Sequence, residues 1–222
     1  RARWGWHATI RIESKRGLML EPIIPNTVTQ ARWQLLPEPE VTDEEFLMLC
    51  QANPDMRLER TAEGAIIIMP PAGAESSERN ADLTYQVVAW SKRDGTGRIF
   101  DSSGGFTLPN GAIRSPDVAW VRGERWDRLT PAQKAGFAPL CPDFAIELRS
   151  ATDRLRSVQL KLEEYIANGT QLAWLIDPQT RTVHVYRPDR LVEKLDHPAE
   201  IRGDPELPGL VVDLVGVWEP DA

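Results

Sequence analysis

Apolar side chains recur along the chain in two rhythms, every three to four residues and every second residue, and the switches between them mark the elements. Thr42-Asp43-Glu44-Glu45 opens a first helix. Thr42 can cap it, Glu45 completes a capping box, Phe46, Leu47 and Leu49 supply its apolar side, and Pro54 ends it. Met56 to Arg60 then alternates apolar and charged residues, and Glu63-Gly64 turns the chain into Ala65-Ile66-Ile67-Ile68-Met69. This is the pattern of a hairpin with a buried second strand. Pro70-Pro71-Ala72-Gly73 closes it, and Glu75 to about Lys92 has neither Pro nor Gly, with Leu83, Val87 and Trp90 at helical spacing. That spacing predicts a long amphipathic helix, broken by Asp94-Gly95-Thr96-Gly97.

Short strands are expected next at Arg98 to Asp101, Phe106 to Leu108 and Ser115 to Val121, with Gly104-Gly105 and Asn110-Gly111 as turns. Thr130 caps a short helix that starts at Pro131. Asp143 to Arg149 reads as a strand, and Asp153 as the cap of a helix running to about Ala167, with Leu155, Val158, Leu162 and Ile166 as its buried stripe. Leu172 to Ile176 and Thr182 to Tyr186 flank Asp177-Pro178-Gln179-Thr180 as a hairpin, and Leu210 to Leu214 is a late strand. The succession predicts an α/β (α+β) protein with a mixed central sheet flanked by helices.

The 222 residues suffice for one domain, expected over residues 41–214. Residues 1–26 lack a leading Met, an apolar signal core and a clear period, and read as a flexible extension. No apolar run reaches the roughly 20 residues of a membrane span. The two cysteines, Cys50 and Cys141, have no zinc or disulfide-scaffold spacing, which points to the cytoplasm. The net charge is −7, but residues 1–37 hold six basic and two acidic side chains. The remainder has 20 basic against 31 acidic, a balance of −11, which excludes indiscriminate coating of nucleic acid.

Two acids interrupt apolar strands, where a charge is costly unless something binds it. They are Asp117 in Ser115-Pro116-Asp117-Val118-Ala119-Trp120-Val121 and Glu147 in Asp143-Phe144-Ala145-Ile146-Glu147-Leu148-Arg149. If their strands are neighbours, the two carboxylates can converge on one hard cation, with the backbone carbonyl of Leu148 as a third oxygen donor, a set suited to Mg²⁺ or Mn²⁺. The alternative is that Arg114, Arg122 or Arg149 neutralises them. The three His form no triad, and no GxSxG, P-loop or dinucleotide pattern occurs.

Ser115-Pro116-Asp117, Cys141-Pro142-Asp143-Phe144-Ala145-Ile146-Glu147-Leu148-Arg149-Ser150, Asp153, Lys161, Tyr165, Asn168-Gly169 and Leu175-Ile176-Asp177-Pro178, in this order, resemble the Uma-two family of restriction-type endonucleases, within the PD-(D/E)XK nuclease superfamily. The resemblance spans Val41 to about Leu214. It implies a restriction-endonuclease-like sheet presenting Asp117 and Glu147 as the metal pair. The superfamily Lys two positions after the second acid is replaced here by Arg149, and the resemblance transfers its role to Lys161 on the following helix. Gly73-Ala74-Glu75 resembles the family's Gly-x-Glu opening, which makes Glu75 a further active-site candidate and Glu78 its fallback.

These residues together imply metal-dependent hydrolysis of DNA phosphodiester bonds. Asp117, Glu147 and the Leu148 carbonyl would hold the metal, Lys161 would stabilise developing charge, and Arg149 could contact a phosphate without acting as a base. Substrate attraction would fall to Arg122, Arg125 and Arg128, or to Arg149, Arg154 and Arg156. The resemblance points to a homodimer, which also agrees with the two sites needed to cut both strands. The rival readings are a catalytically silent nuclease fold serving as a dimeric binding protein, and a metal-dependent phosphoesterase for another substrate.

Overall fold

The computed structural model describes residues 33–35, 41–69 and 71–220. The expected flexible extension, residues 1–26, lies outside the described residues. In chain order the first elements are β1 (Trp33–Leu35), α1 (Asp43–Ala52), β2 (Arg57–Arg60), β3 (Ile66–Met69) and α2 (Ala74–Asp94). They are followed by β4 (Gly97–Asp101), β5 (Phe106–Thr107), β6 (Ile113–Arg114), β7 (Val118–Arg122), α3 (Gly123–Asp127) and α4 (Pro131–Ala135). The rest of the chain forms β8 (Phe144–Leu148), α5 (Leu155–Ala167), β9 (Leu172–Asp177), β10 (Thr182–Tyr186), β11 (Glu193–Asp196), β12 (Glu200–Arg202), β13 (Val211–Asp213) and α6 (Val215–Trp218).

The capping boxes expected at Thr42 and Thr130 both form, with Glu45 and Gln133 as their third residues. The cap of α5 differs. Arg154 takes that position without a side-chain bond, and Asp153 turns back to accept the Ser150 N–H at 3.0 Å and its hydroxyl at 2.7 Å. The stripe of α5 also differs, with Val158, Lys161, Leu162 and Tyr165 as its buried residues and Leu155 and Ile166 only partly covered. The stripe therefore places a lysine and a phenol among apolar side chains.

A six-stranded sheet runs β11-β10-β9-β8-β7-β4, with β8 and β9 parallel and the other neighbours antiparallel. Strand alternation sorts its side chains between two helices. Val118, Trp120, Phe144, Ile146 and Trp174 pack beneath Leu83, Val87 and Trp90 of α2. The small residues Ala119, Ala145 and Ala173 leave room on the other face for Val158, Leu162 and Tyr165 of α5. The hairpin β12–β13 and α6 extend the α2 side with Ile201, Val212 and Val217. A second, five-stranded sheet runs β1-β3-β2-β6-β5 and, with Phe46 of α1, encloses a separate apolar cluster of Leu58, Ile66, Ile68 and Ile113. Arg114 on β6 crosses from this sheet to α5 through Glu164, Nε to Oε2 2.6 Å.

Candidate active site

Pairing of β7 with β8 puts Val118 opposite Ile146 and Ala119 opposite Ala145. The strand expected from Ser115 begins only at Val118, so Asp117 immediately precedes β7, where one further step of the same register would set it opposite Glu147. Alternation turns both acids to the α5 face, since Ala119 and Ala145 lie there and Val118 and Ile146 lie under α2. Asp117 accepts the Leu148 N–H on Oδ2 at 2.9 Å and pairs with Arg57 of β2 through Oδ1 at 3.4 Å. The N–H and C=O of an extended residue point the same way, so the Leu148 carbonyl is turned towards Asp117.

Lys161, on the buried stripe of α5, reaches this pair from above the sheet. Its Nζ lies 2.8 Å from Glu147 Oε1 and 2.7 Å from Glu59 Oε1, and donates to the Ser115 carbonyl at 3.5 Å. Tyr165, one turn further along α5, donates its hydroxyl to the same Glu147 oxygen at 2.9 Å. Glu59 comes from β2 of the other sheet and is 1% exposed. Its Oε1 accepts the Ser115 N–H at 3.1 Å and its Oε2 takes Arg114 Nη1 at 3.2 Å.

The two carboxyls on Lys161 are not equivalent. Burial drives the Glu147 pKa up, Lys161 opposes this, and the charges of Asp117 and Glu59 add to the rise, leaving it at about 7. Burial also pushes Glu59 up, but Lys161 and Arg114, with hydrogen bonds from Lys161 and Ser115, outweigh it and hold the group at about 2. The difference follows from the partners: Glu59 meets two cations, Glu147 one cation and two other carboxylates. Burial, then Glu147, raises the Tyr165 hydroxyl well above its ordinary value, so it remains a proton donor.

Asp117, Glu147 and Lys161 line a cavity of about 270 Å³. Ser76, Ser77 and Asn80 of α2 form one wall, and Ser150, Thr152 and Asp153 a second. Arg57 also lines it. Successive helical residues turn by about 100°, so Glu75 and Glu78 project away from the face that carries Ser76, Ser77 and Asn80. The structure therefore does not bring Glu75 to the acids: its carboxylate is exposed and pairs with Arg79 at 2.6 Å. Arg149 does share a face with Glu147, but its Nη1 is bound to the fully buried Asp177 at 2.8 Å, and it is not among the cavity's lining residues.

Several members of the expected basic clusters hold acidic partners. Arg125 and Arg122 hold Asp143, at 2.9 and 3.7 Å, at the opposite end of β8 from Glu147, and Arg156 pairs with Glu163 at 2.7 Å. Trp126 packs on Phe100 with ring centroids 4.8 Å apart.

Among the described residues no three His, Cys, Asp or Glu side chains form a metal-holding group. The donors at the cavity floor are two carboxylates and a carbonyl. This all-oxygen set fits Mg²⁺, which keeps several waters and takes one or two carboxylates, better than a softer ion that needs a side-chain cage. Glu59 escapes sequence reasoning because Arg57-Leu58-Glu59-Arg60 reads as a half-exposed strand. Its only signal is that all three polar residues sit beside one leucine in a strand paired to an isoleucine run.

A mixed sheet with α2 against one face and α5 against the other, carrying one acid on β8 and one immediately before the adjacent β7, has the restriction-endonuclease-like architecture. A family model described as "Putative restriction endonuclease" (Uma2) matches residues 43–215. The chain belongs to this family. A solved structure described as a putative nuclease belonging to DUF820, from Anabaena variabilis ATCC 29413, is 26% identical, with a TM-score of 0.66 over 80% of this chain and 97% of that one. Among curated proteins nothing matches. Among the described residues no helix is long and apolar enough to cross a membrane.

Proposed function

We propose that the protein is a metal-dependent endonuclease that hydrolyses phosphodiester bonds in DNA, with Asp117, Glu147 and the Leu148 carbonyl as the holders of Mg²⁺ or Mn²⁺. The observation that carries this reading is the opposition of Asp117 and Glu147 across β7 and β8, with the Lys161 ammonium 2.8 Å from Glu147 at the floor of a cavity. The ion would supply Lewis-acid polarisation of a phosphate oxygen and acidify the attacking water.

The chain's own groups do the rest. Glu147 in its ionised form would be the ligand, and Tyr165 fixes the carboxyl's orientation through its hydroxyl. Lys161 directs its ammonium at the charge that develops on the phosphate. Arg57, which lines the cavity beside Asp117, is better placed than Arg149 to contact a phosphate. Two copies would serve the two strands of a duplex, and free thiols at Cys50 and Cys141 agree with a cytoplasmic site of action.

The test is plasmid nicking with Mg²⁺ by the wild type and by Asp117→Ala, Glu147→Ala and Lys161→Ala. The wild type is expected to nick and each variant to lose activity by at least about a hundredfold. Equal activity in all four would refute the site. Hydrolysis of small phosphodiesters but not of DNA would move the activity to another phosphoester.

A further inference from the structure

We propose that Glu59 is the positioning residue for Lys161, so that the five-stranded sheet sets the geometry of a site built on the six-stranded one. The inference rests on the nuclease reading for the role of Lys161, and on the contacts alone for the role of Glu59. The ammonium has three N–H bonds to direct. Two point at carboxylate oxygens, Glu59 Oε1 at 2.7 Å and Glu147 Oε1 at 2.8 Å, and a longer hydrogen bond, 3.5 Å, goes to the Ser115 carbonyl. The last is the weakest by distance, and is the one most readily exchanged for a phosphate or water oxygen.

Glu59 is itself fixed on every side. β2 lies between β3 and β6, with Glu59 opposite Ile67. The Ser115 N–H and Arg114 occupy its two oxygens, and Arg114 is anchored in turn to Glu164 on α5, the helix that carries Lys161. The circuit Glu59, Arg114, Glu164, α5, Lys161 closes on itself. It holds the end of the flexible lysine stem between the two sheets. Glu59 is not among the cavity's lining residues, so it acts through Lys161 rather than on a substrate.

The experiment uses the full chain and two readouts. In the first, the side-chain ¹⁵N resonance of Lys161 is followed by NMR in the wild type and in Glu59→Gln, which keeps shape but removes charge. A slowly exchanging ammonium with a through-hydrogen-bond coupling to the Glu59 carboxyl carbon is expected in the wild type, with exchange broadening in the variant. In the second, Mg²⁺-dependent plasmid cleavage is compared in Glu59→Gln, Lys161→Met and the double variant.

A fall in kcat of about a hundredfold for Glu59→Gln, with KM unchanged, is the size expected for displacing a catalytic group by about 1 Å. The double variant should be no slower than Lys161→Met. A Lys161 resonance indifferent to Glu59→Gln, or losses that multiply in the double variant, would overturn the proposal. Absence of the wild-type coupling would overturn it even if Glu59→Gln failed to fold. A wild type that does not cleave would refute the nuclease reading, while the resonance would still decide the positioning claim.

Discussion

Replacing Lys161 by Met tests the buried charge network, because Met preserves the packing of the stem and deletes only the ammonium. The Lys161 side chain is 6% exposed, against 1% for Glu59 and 7% for Glu147. At an effective dielectric constant of 20, a pair 2.7 Å apart attracts by about 6 kcal/mol, much of it offset by the desolvation of both partners. Deleting the ammonium leaves the buried carboxylates undercompensated, and the expected loss of stability is about 3–5 kcal/mol near pH 8. For a chain of this size that corresponds to a fall in Tm of roughly 6–20 °C.

Arg114 still balances Glu59 in the variant, so the burden falls on Glu147. A carboxyl whose folded pKa is raised, here from 4.5 to about 7 in the wild type, contributes stability below 4.5 and loses it as pH rises through 7. Glu59, held near 2, behaves oppositely and contributes above 4.5, down to about pH 2. Without Lys161 the Glu147 pKa rises further, so protonation rescues the variant in acid. Urea unfolding should therefore give a deficit smaller at pH 5 than at pH 8 by more than about 1.4 kcal/mol, the worth of one pKa unit. A deficit below about 1 kcal/mol, or one equal at both pH values, would refute this account of the network.

Because Glu147 must be ionised to bind a cation, the apparent Mn²⁺ affinity should increase about thirtyfold from pH 5.5 to 8.5, levelling above 7. Calorimetry in buffers of different ionisation enthalpy should show protons released on binding below pH 8, and a pH-independent affinity would contradict the assignment. Glu75→Gln removes only the charge of an exposed carboxylate from its i,i+4 pair with Arg79. It should cost less than about 0.5 kcal/mol in thermal unfolding and leave plasmid cleavage unchanged. A tenfold loss of cleavage would restore Glu75 to the site.

The parts of this structure legible in the sequence are those with a strong local signal. Asp117 and Glu147 stand out because each interrupts an apolar strand, and α2 because Leu83, Val87 and Trp90 repeat at its period. The capping boxes at Thr42 and Thr130 are local by nature. Glu59 is invisible for the opposite reason: Arg114 and Lys161, which make its burial tolerable, come from β6 and α5, and only tertiary structure brings them together. The edge strand β11, Glu193–Asp196, carries mostly exposed polar side chains and leaves no periodic trace.

Two candidate side chains lie apart from the cavity for equally physical reasons. Motif resemblance favours Glu75 by its position in the chain, but the turn of α2 gives the cavity wall to Ser76, Ser77 and Asn80. Arg149 lies on the expected face, yet the adjacent β9 offers it the buried Asp177 as a partner at 2.8 Å. In both cases side-chain neighbours, rather than sequence spacing, decide which charges remain available to a substrate.

The central claim is that Asp117 and Glu147 hold a divalent cation together, and anomalous diffraction from a crystal soaked in Mn²⁺ addresses it directly. The account predicts a single strong peak between the two carboxylates, within bonding distance of the Leu148 carbonyl, that disappears in Glu147→Ala. Full Mn²⁺-dependent cleavage in solution with no peak at that position, or with a peak elsewhere, would contradict it.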